Sequence, residues 1–308
     1  MISFAVLLMI LNFQSCSTID PETNKTTCLK PKVGHCSCEC PGVEYCRVTC
    51  KGLDTVPEEL PPQTSYLEMT DGSIKEIPTD YLKNTNHLYE INLSNNSITN
   101  SFYIPKLVYN LDLSRNSLRS STLFGMLRNL TSLTTLDLSR NPLNDTLIPG
   151  TFIDLENLDT LLIMDCGIKD LKVGTFHGLK KLRKVNIESN QISVLKRGIL
   201  DGIGQRGKPS LKDISFHLNK ISYIEDGIFE GQQIRGLYLH VNRLTSLPDL
   251  TGLCSHIREL RLSENYISDI SALSKSGIKS IVKLKLDHNN ISMIPSGTFD
   301  NIDILTVL

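Results

Sequence analysis

The apolar residues of this chain fall into one recurring phrase. Its clearest copy is Leu133-Thr134-Thr135-Leu136-Asp137-Leu138-Ser139-Arg140-Asn141-Pro142-Leu143. Alternation around Leu136 and Leu138 predicts a short strand, with leucines turned into a core and the residues between them facing solvent. The Asn that follows predicts a turn, because its side chain can hydrogen-bond neighbouring backbone where an apolar group cannot. One copy cannot bury its own apolar face, so the phrase has meaning only if it recurs.

It recurs. The Asn place falls at Asn96, Asn116, Asn141, Cys166, Asn190, Asn219, Asn242, Asn265 and Asn289, with Gly72 in a weaker first copy. Successive spacings from Gly72 are 24, 20, 25, 25, 24, 29, 23, 23 and 24 residues. This is the L-x-x-L-x-L-x-x-N-x-L signature of leucine-rich repeats at the expected period. It predicts an α/β leucine-rich repeat solenoid, a curved horseshoe with a parallel β-ladder on its concave face. Between copies, Gly150-Thr151-Phe152 through Leu155 and Gly174-Thr175-Phe176 through Leu179 repeat a G-T-F-x-x-L phrase, whose Phe and Leu are expected to fill the core from the convex side.

Length and charge change this picture little. A chain of 308 residues suggests about two globular domains, but a solenoid grows by adding repeats. The net charge of −1 gives the whole chain no electrostatic case for nucleic acid, so any charge argument is local. A ten-residue run from Phe4 to Phe13, apolar but for Asn12, and then Gln14-Ser15-Cys16-Ser17 read as a secretory signal over 1–17. No later stretch reaches the roughly 18 apolar residues of a membrane span, so the chain as it stands is expected to be secreted.

A short extension, 18–35, leads to a cysteine-rich cap at 36–64, and about ten repeats fill 65–308, the last cut short at Leu308. A repeat ending there has an open hydrophobic end, which predicts a truncated chain. Cys28, Cys36, Cys38, Cys40, Cys46 and Cys50 form an even set that reads as disulfides in a secreted context, with fifteen pairings open. Zinc is the lesser reading, because C-x-C-x-C lacks the spacing of structural zinc sites.

After Cys50 the sequence reads Lys51-Gly52-Leu53-Asp54-Thr55-Val56-Pro57-Glu58-Glu59-Leu60-Pro61. A cysteine cluster, C-x-G-L-x-x-V-P-x-x-L-P, and then repeats resemble the N-terminal cap of extracellular leucine-rich repeat proteins. In layout the chain resembles the small leucine-rich proteoglycans, the decorin and biglycan group. Cys38-x-Cys40-x₉-Cys50 fits the latter part of that family's cap, while Cys28, Cys36 and Cys46 depart from it. No Ser-Gly attachment site precedes the cap, and the short-long-long alternation of that family is missing. The resemblance implies protein partners on the concave face, either collagen-type fibrils or growth factors. The alternative is the ectodomain fragment of a Toll-like or adhesion-type receptor.

Aligning the copies puts Arg183, Lys212, Arg235 and Arg258 at one place on four successive strands, with Lys184, Arg261, Lys283 and Lys285 beside them. Stacked like charges call for neighbouring acids or an anionic partner, and Asp213, Glu259 and Glu264 are available. The candidate partner-binding set is Arg183, Lys212, Arg235, Tyr238, Arg258, Arg261 and Lys285. Asp112 and Asp137, followed by Arg115 and Arg140, predict charge pairs along the earlier ladder. His217 and His240 share a register, which brings two imidazoles close; concave polar filler is the reading preferred to metal. Sequons at Asn24, Asn92, Asn95, Asn129, Asn144 and Asn290 predict glycosylation, with Asn92 and Asn95 on the strand face. Cys166 is expected to be a buried structural thiol, Cys254 convex-side core, and Gly202 to Pro209 an extra loop. No nucleophile elbow, P-loop or H-E-x-x-H occurs, so binding without catalysis, cofactor or metal is expected.

Overall fold

The computed structural model describes residues 34–40, 45–204, 211–253 and 256–307. The expected signal segment, Asn24, Cys28, Cys254 and most of the extra loop lie outside these residues. Strands are numbered in chain order. The main sheet has 13: β1 (His35–Glu39), β2 (Cys46–Lys51), β3 (Thr64–Thr70), β4 (Glu90–Asn92), β5 (Asn110–Asp112), β6 (Thr135–Asp137), β8 (Thr160–Leu162), β10 (Lys184–Asn186), β12 (Asp213–Ser215), β14 (Gly236–Tyr238), β15 (His256–Arg261), β16 (Ser280–Lys285) and β17 (Ile304–Val307). Two short parallel pairs stand apart: β7 (Asp145–Thr146) with β9 (Ile168–Asp170), and β11 (Val194–Leu195) with β13 (Tyr223–Ile224).

From β2 onward every pairing in the main sheet is parallel and joins one repeat to the next. In β4, β5, β6, β8, β10 and β12 the middle residue is buried and its neighbours are half-buried or exposed, as alternation requires. Leu111, Leu136, Leu161, Val185, Ile214 and Leu237 thereby form one continuous stack. Phe152, Phe176 and Phe229 close it from the other side, fully buried. The helical share is smaller than an α/β label suggests: among the described residues there is one seven-residue helix, α1 (Ser120–Met126), and one 3₁₀ turn at Ser271–Lys275. Elsewhere among the described residues, apart from the two short strand pairs, the returning half of each repeat is mostly tight turns, because 20 to 29 residues leave little chain after strand and Asn turn.

The Asn residues form a spine. Asn116 donates to the carbonyls of Leu93 at 2.9 Å and Leu113 at 3.1 Å, and its Oδ1 accepts the N–H of Ile98 at 3.0 Å. Asn141, Asn190, Asn219, Asn242 and Asn265 do the same, each tying its own strand end to the preceding repeat. Each bond satisfies buried backbone that would otherwise cost about 1–3 kcal/mol. The residue before each of these places, from Asp71 to His288, adopts φ between 53° and 58°. At Gly72 a Cβ would lie 2.3 Å from the Leu53 carbonyl oxygen, so the first copy has no room for Asn. Cys166, in the Asn place, is buried and unpaired; burial pushes its thiol up to about 11, in keeping with a structural role.

The cap is continuous with the ladder. β1 and β2 form an antiparallel hairpin, and β2 pairs with β3 in parallel. Disulfides Cys36–Cys50 and Cys40–Cys46 clamp this hairpin, and Cys38 is also disulfide-bonded. Thiolates tied up this way leave no zinc ligands among Cys36, Cys40, Cys46 and Cys50.

Candidate partner-binding face

On the solvent side of the ladder, the x positions form columns. Arg183, Lys212 and Arg235, each one residue before its strand, and Arg258, at the matching place inside β15, stack in register: each N–H of the later three bonds to the carbonyl of the one before at 2.7 to 2.9 Å. The next column is Lys184, Asp213, Gly236, Glu259 and Lys283, and two residues on come Asn186, Ser215, Tyr238, Arg261 and Lys285. The seven expected partner-binding residues thus share one side of the sheet.

The ends of the cation column have acid partners. Arg183 pairs with Asp159 at 2.8 Å. Arg258 donates to Asp213 at 3.1 Å and to the Tyr238 hydroxyl at 3.2 Å. Lys212 bonds the neutral Gln233 at 3.2 Å, and among the described residues Arg235 makes no side-chain ion pair. The middle of the column therefore presents cations without compensation.

Glu259 is a hub that the spacing of cations did not single out. It accepts from Arg261 at 2.7 Å, Lys283 at 3.0 Å and the Tyr238 hydroxyl at 3.3 Å, with only 13% of its side chain exposed. Burial alone would raise the Glu259 carboxyl, but the Lys283 and Arg261 hydrogen bonds outweigh it and the group is lowered. The network needs Gly236, where a Cβ would sit 2.2 Å from Asp213 Oδ1 and 2.9 Å from the Tyr238 hydroxyl. A glycine in a strand whose neighbours carry large side chains was the available signal.

Beyond the network, His240, Arg261, Ser263, Lys283, Lys285 and Asp287 line a cavity of about 420 Å³. His217 and His240 do come together, stacked with centroids 3.5 Å apart and planes 13° from parallel. Burial first, then the charges of His217 and Arg261, pulls His240 down to about 4. Stacked rings do not converge on a common point, and no group of three metal-ligating side chains gathers among the described residues.

Two expectations need correction. Asp112 and Asp137 do not pair with Arg115 and Arg140. Their carboxylates accept the N–H groups of Ser114 and Ser139, each at 2.8 Å, while Arg140 reaches Asp165 at 3.8 Å. The left-handed turn at Arg115 and Arg140 rotates each Arg off the strand face. The same turn takes Asn95 off that face and leaves it exposed; Asn92 stays on it, half-buried, with its Oδ1 bonded to the Ser94 N–H at 3.0 Å. Asn129, Asn144 and Asn290 are exposed.

A leucine-rich repeat family model matches residues 232–291 and a second matches 132–155. Decorin from Bos taurus is 27% identical over 123 residues, and decorin from Homo sapiens 28% over 123 residues. Both alignments cover 40% of this chain and 33% of decorin, so the chain spans about a third of the length of these relatives. Among solved structures, a chain in the octameric complex of Latrophilin 3, Unc5D and FLRT2 superposes with a TM-score of 0.69 at 20% identity, covering 90% of this chain and 83% of that one. The leucine-rich repeat domain of APL1B gives a TM-score of 0.56 at 21% identity over 76% of this chain and 73% of that one. At such identities these structures speak to the fold alone. With leucine-rich repeat models matching at two separate places and decorin aligning over 123 residues, the chain has the leucine-rich repeat fold and resembles the small leucine-rich proteoglycans.

Proposed function

We propose that this chain is an extracellular binding protein that docks an acidic or extended protein on its ladder face, with collagen-type fibrils and growth factors as the partner class. The carrying observation is the cation column. Lys212 and Arg235 sit in register between Arg183 and Arg258 with no acid partner among the described residues, where like charges on adjacent strands cost stability. The secreted setting rests on the disulfide-clamped cap, since such bonds persist in oxidising compartments. Among the described residues no helix is long and apolar enough to cross a membrane.

The test is an Arg235→Glu/Arg258→Glu chain assayed on fibrillar collagen and on a panel of growth factors. The reading expects binding by the parent chain and at least a tenfold loss in the variant, with cooperative unfolding retained. Equal binding by both chains would remove the column from the site. A second reading, an adhesion-receptor ectodomain, draws on the 90% coverage of this chain by the fold match in the Latrophilin 3–Unc5D–FLRT2 complex. Glycans on Asn24, Asn92, Asn95, Asn129, Asn144 and Asn290 accompany either reading, and loss of mass on enzymatic deglycosylation checks them.

A further inference from the structure

The ladder face changes sign along its length. Over β3 to β6 its strand positions carry Glu68, Glu90, Asp112 and Asp137 and no Lys or Arg. Arg47 from the cap answers Glu68 at 3.9 Å. The other three are held by neutral donors: Glu90 by the Tyr109 hydroxyl at 2.6 Å, Asp112 and Asp137 by backbone N–H groups. They line a hollow of about 210 Å³ that also takes in Tyr66, Asn92 and Asn110. Exposed Tyr89 and Tyr109 flank it in the column that carries cations further along.

Next comes an uncharged strand, β8, with Thr160 and Leu162 on the face. Past it lies the column from Arg183 to Arg258. The sheet order places five strand steps between β5 and β14, the middle of the β12–β15 stretch. At about 4.8 Å per step the two poles are about 24 Å apart, the reach of about seven extended residues.

Resting on the reading that this face binds protein, we infer that its occupant is an extended polypeptide segment lying across the strands, with a basic block over β4–β6 and an acidic block over β12–β15, their centres about 24 Å apart. Charge complementarity selects this occupant over a uniform polyanion, because Glu90, Asp112 and Asp137 would repel the far end of any acidic polymer that reached along the ladder. Two blocks on one chain also bind as a linked pair, so the second contact forms at high effective concentration.

The probe is a synthetic peptide with a lysine block and a glutamate block whose centres are about seven residues apart. Its controls have the same composition in alternating order, and the glutamate block alone. Fluorescence anisotropy at low salt should show the two-block peptide binding the parent chain about tenfold more tightly than either control, with the advantage shrinking as salt rises. An Asp112→Asn/Asp137→Asn variant, whose amide oxygens can still accept the Ser114 and Ser139 N–H groups, should lose that advantage, as should Arg235→Glu/Arg258→Glu. If the glutamate block alone binds equally well, or the aspartate variant is indifferent, the bipolar occupant is overturned while the cation-column site stands. If only the arginine variant is indifferent, both this inference and the proposed site fall.

Discussion

The strand face over β3–β6 and the face over β12–β16 stand on the same scaffold and do opposite things with it. Beneath both runs the same spine: Asn116 in the first region and Asn265 in the second each join three backbone groups across two repeats at 2.9 to 3.1 Å. Above it, the first region holds acids met by neutral donors, apart from Glu68 beside Arg47, and the second holds cations in excess, partly neutralised through Glu259 and Asp213. The buried positions of a repeat are fixed by what one repeat must hand to the next, while the outward x positions carry no such duty. The solenoid can therefore change its surface charge completely without altering its interior.

The largest effect should be the same in both regions. Asn116→Ala and Asn265→Ala each strand two carbonyls and one N–H in the buried turn, so each is expected to cost about 2–5 kcal/mol. Urea unfolding measures it. A loss in one region but not the other would show that the spine is not the shared foundation described here.

The spine is also where the sequence was most informative. Leucine and Asn spacing yields the strands, their parallel register and the buried set, because those residues have one job each. The cation column was legible for the same reason, being fixed by register. The pairing of charges was not. Arg115 and Arg140 stand three places after Asp112 and Asp137, yet a left-handed turn at φ 54° and 58° rotates them away, and nothing in their residue types announces that turn. Glu259 as a hub was equally hidden, since it depends on Arg261 from its own strand, Lys283 from the next and Tyr238 from the one before.

Glu259 offers the next largest contrast. Glu259→Gln keeps the shape but leaves Arg261 and Lys283 without a carboxylate, and a loss of about 1–3 kcal/mol is expected. Because the native carboxyl is lowered, its contribution is present above the unfolded value near 4.5 and fades as pH falls through the native one. Thermal melts at pH 7 should separate variant from parent, and the gap should close as pH falls below the native carboxyl's range. A gap that persists at low pH would assign the loss to packing.

A smaller contrast lies in the turns. At the left-handed place the first region has Asp71 and Asn95, short polar residues that tolerate it, whereas the second has the β-branched Val241 at φ 54°. Val241→Asn should relieve that strain and stabilise the chain by about 1 kcal/mol. Asn95→Val should cost a similar amount in the first region. An unchanged unfolding midpoint for both would mean that the turn tolerates β-branching.

The smallest effect tests whether the acidic region is held against its own repulsion. Asp137 is raised, by burial first and then by the charge of Asp112, with the Ser139 hydrogen bonds opposing. A raised carboxyl favours the folded state below its unfolded value of 3.8, and that advantage is lost as pH rises through the native value. At pH 7 the fold therefore holds a carboxylate it would do better without. Asp137→Asn keeps an oxygen for the Ser139 N–H and removes the charge. The variant should match or exceed the parent by a few tenths of a kcal/mol at neutral pH, after allowing for solvent screening of a partly exposed group. Below pH 3.8, where the parent carries a proton there in both states, the difference should vanish. A variant less stable than the parent at pH 7 would mean that the negative charge is itself held by the fold, and the acidic pole would then be structural rather than free for a basic partner.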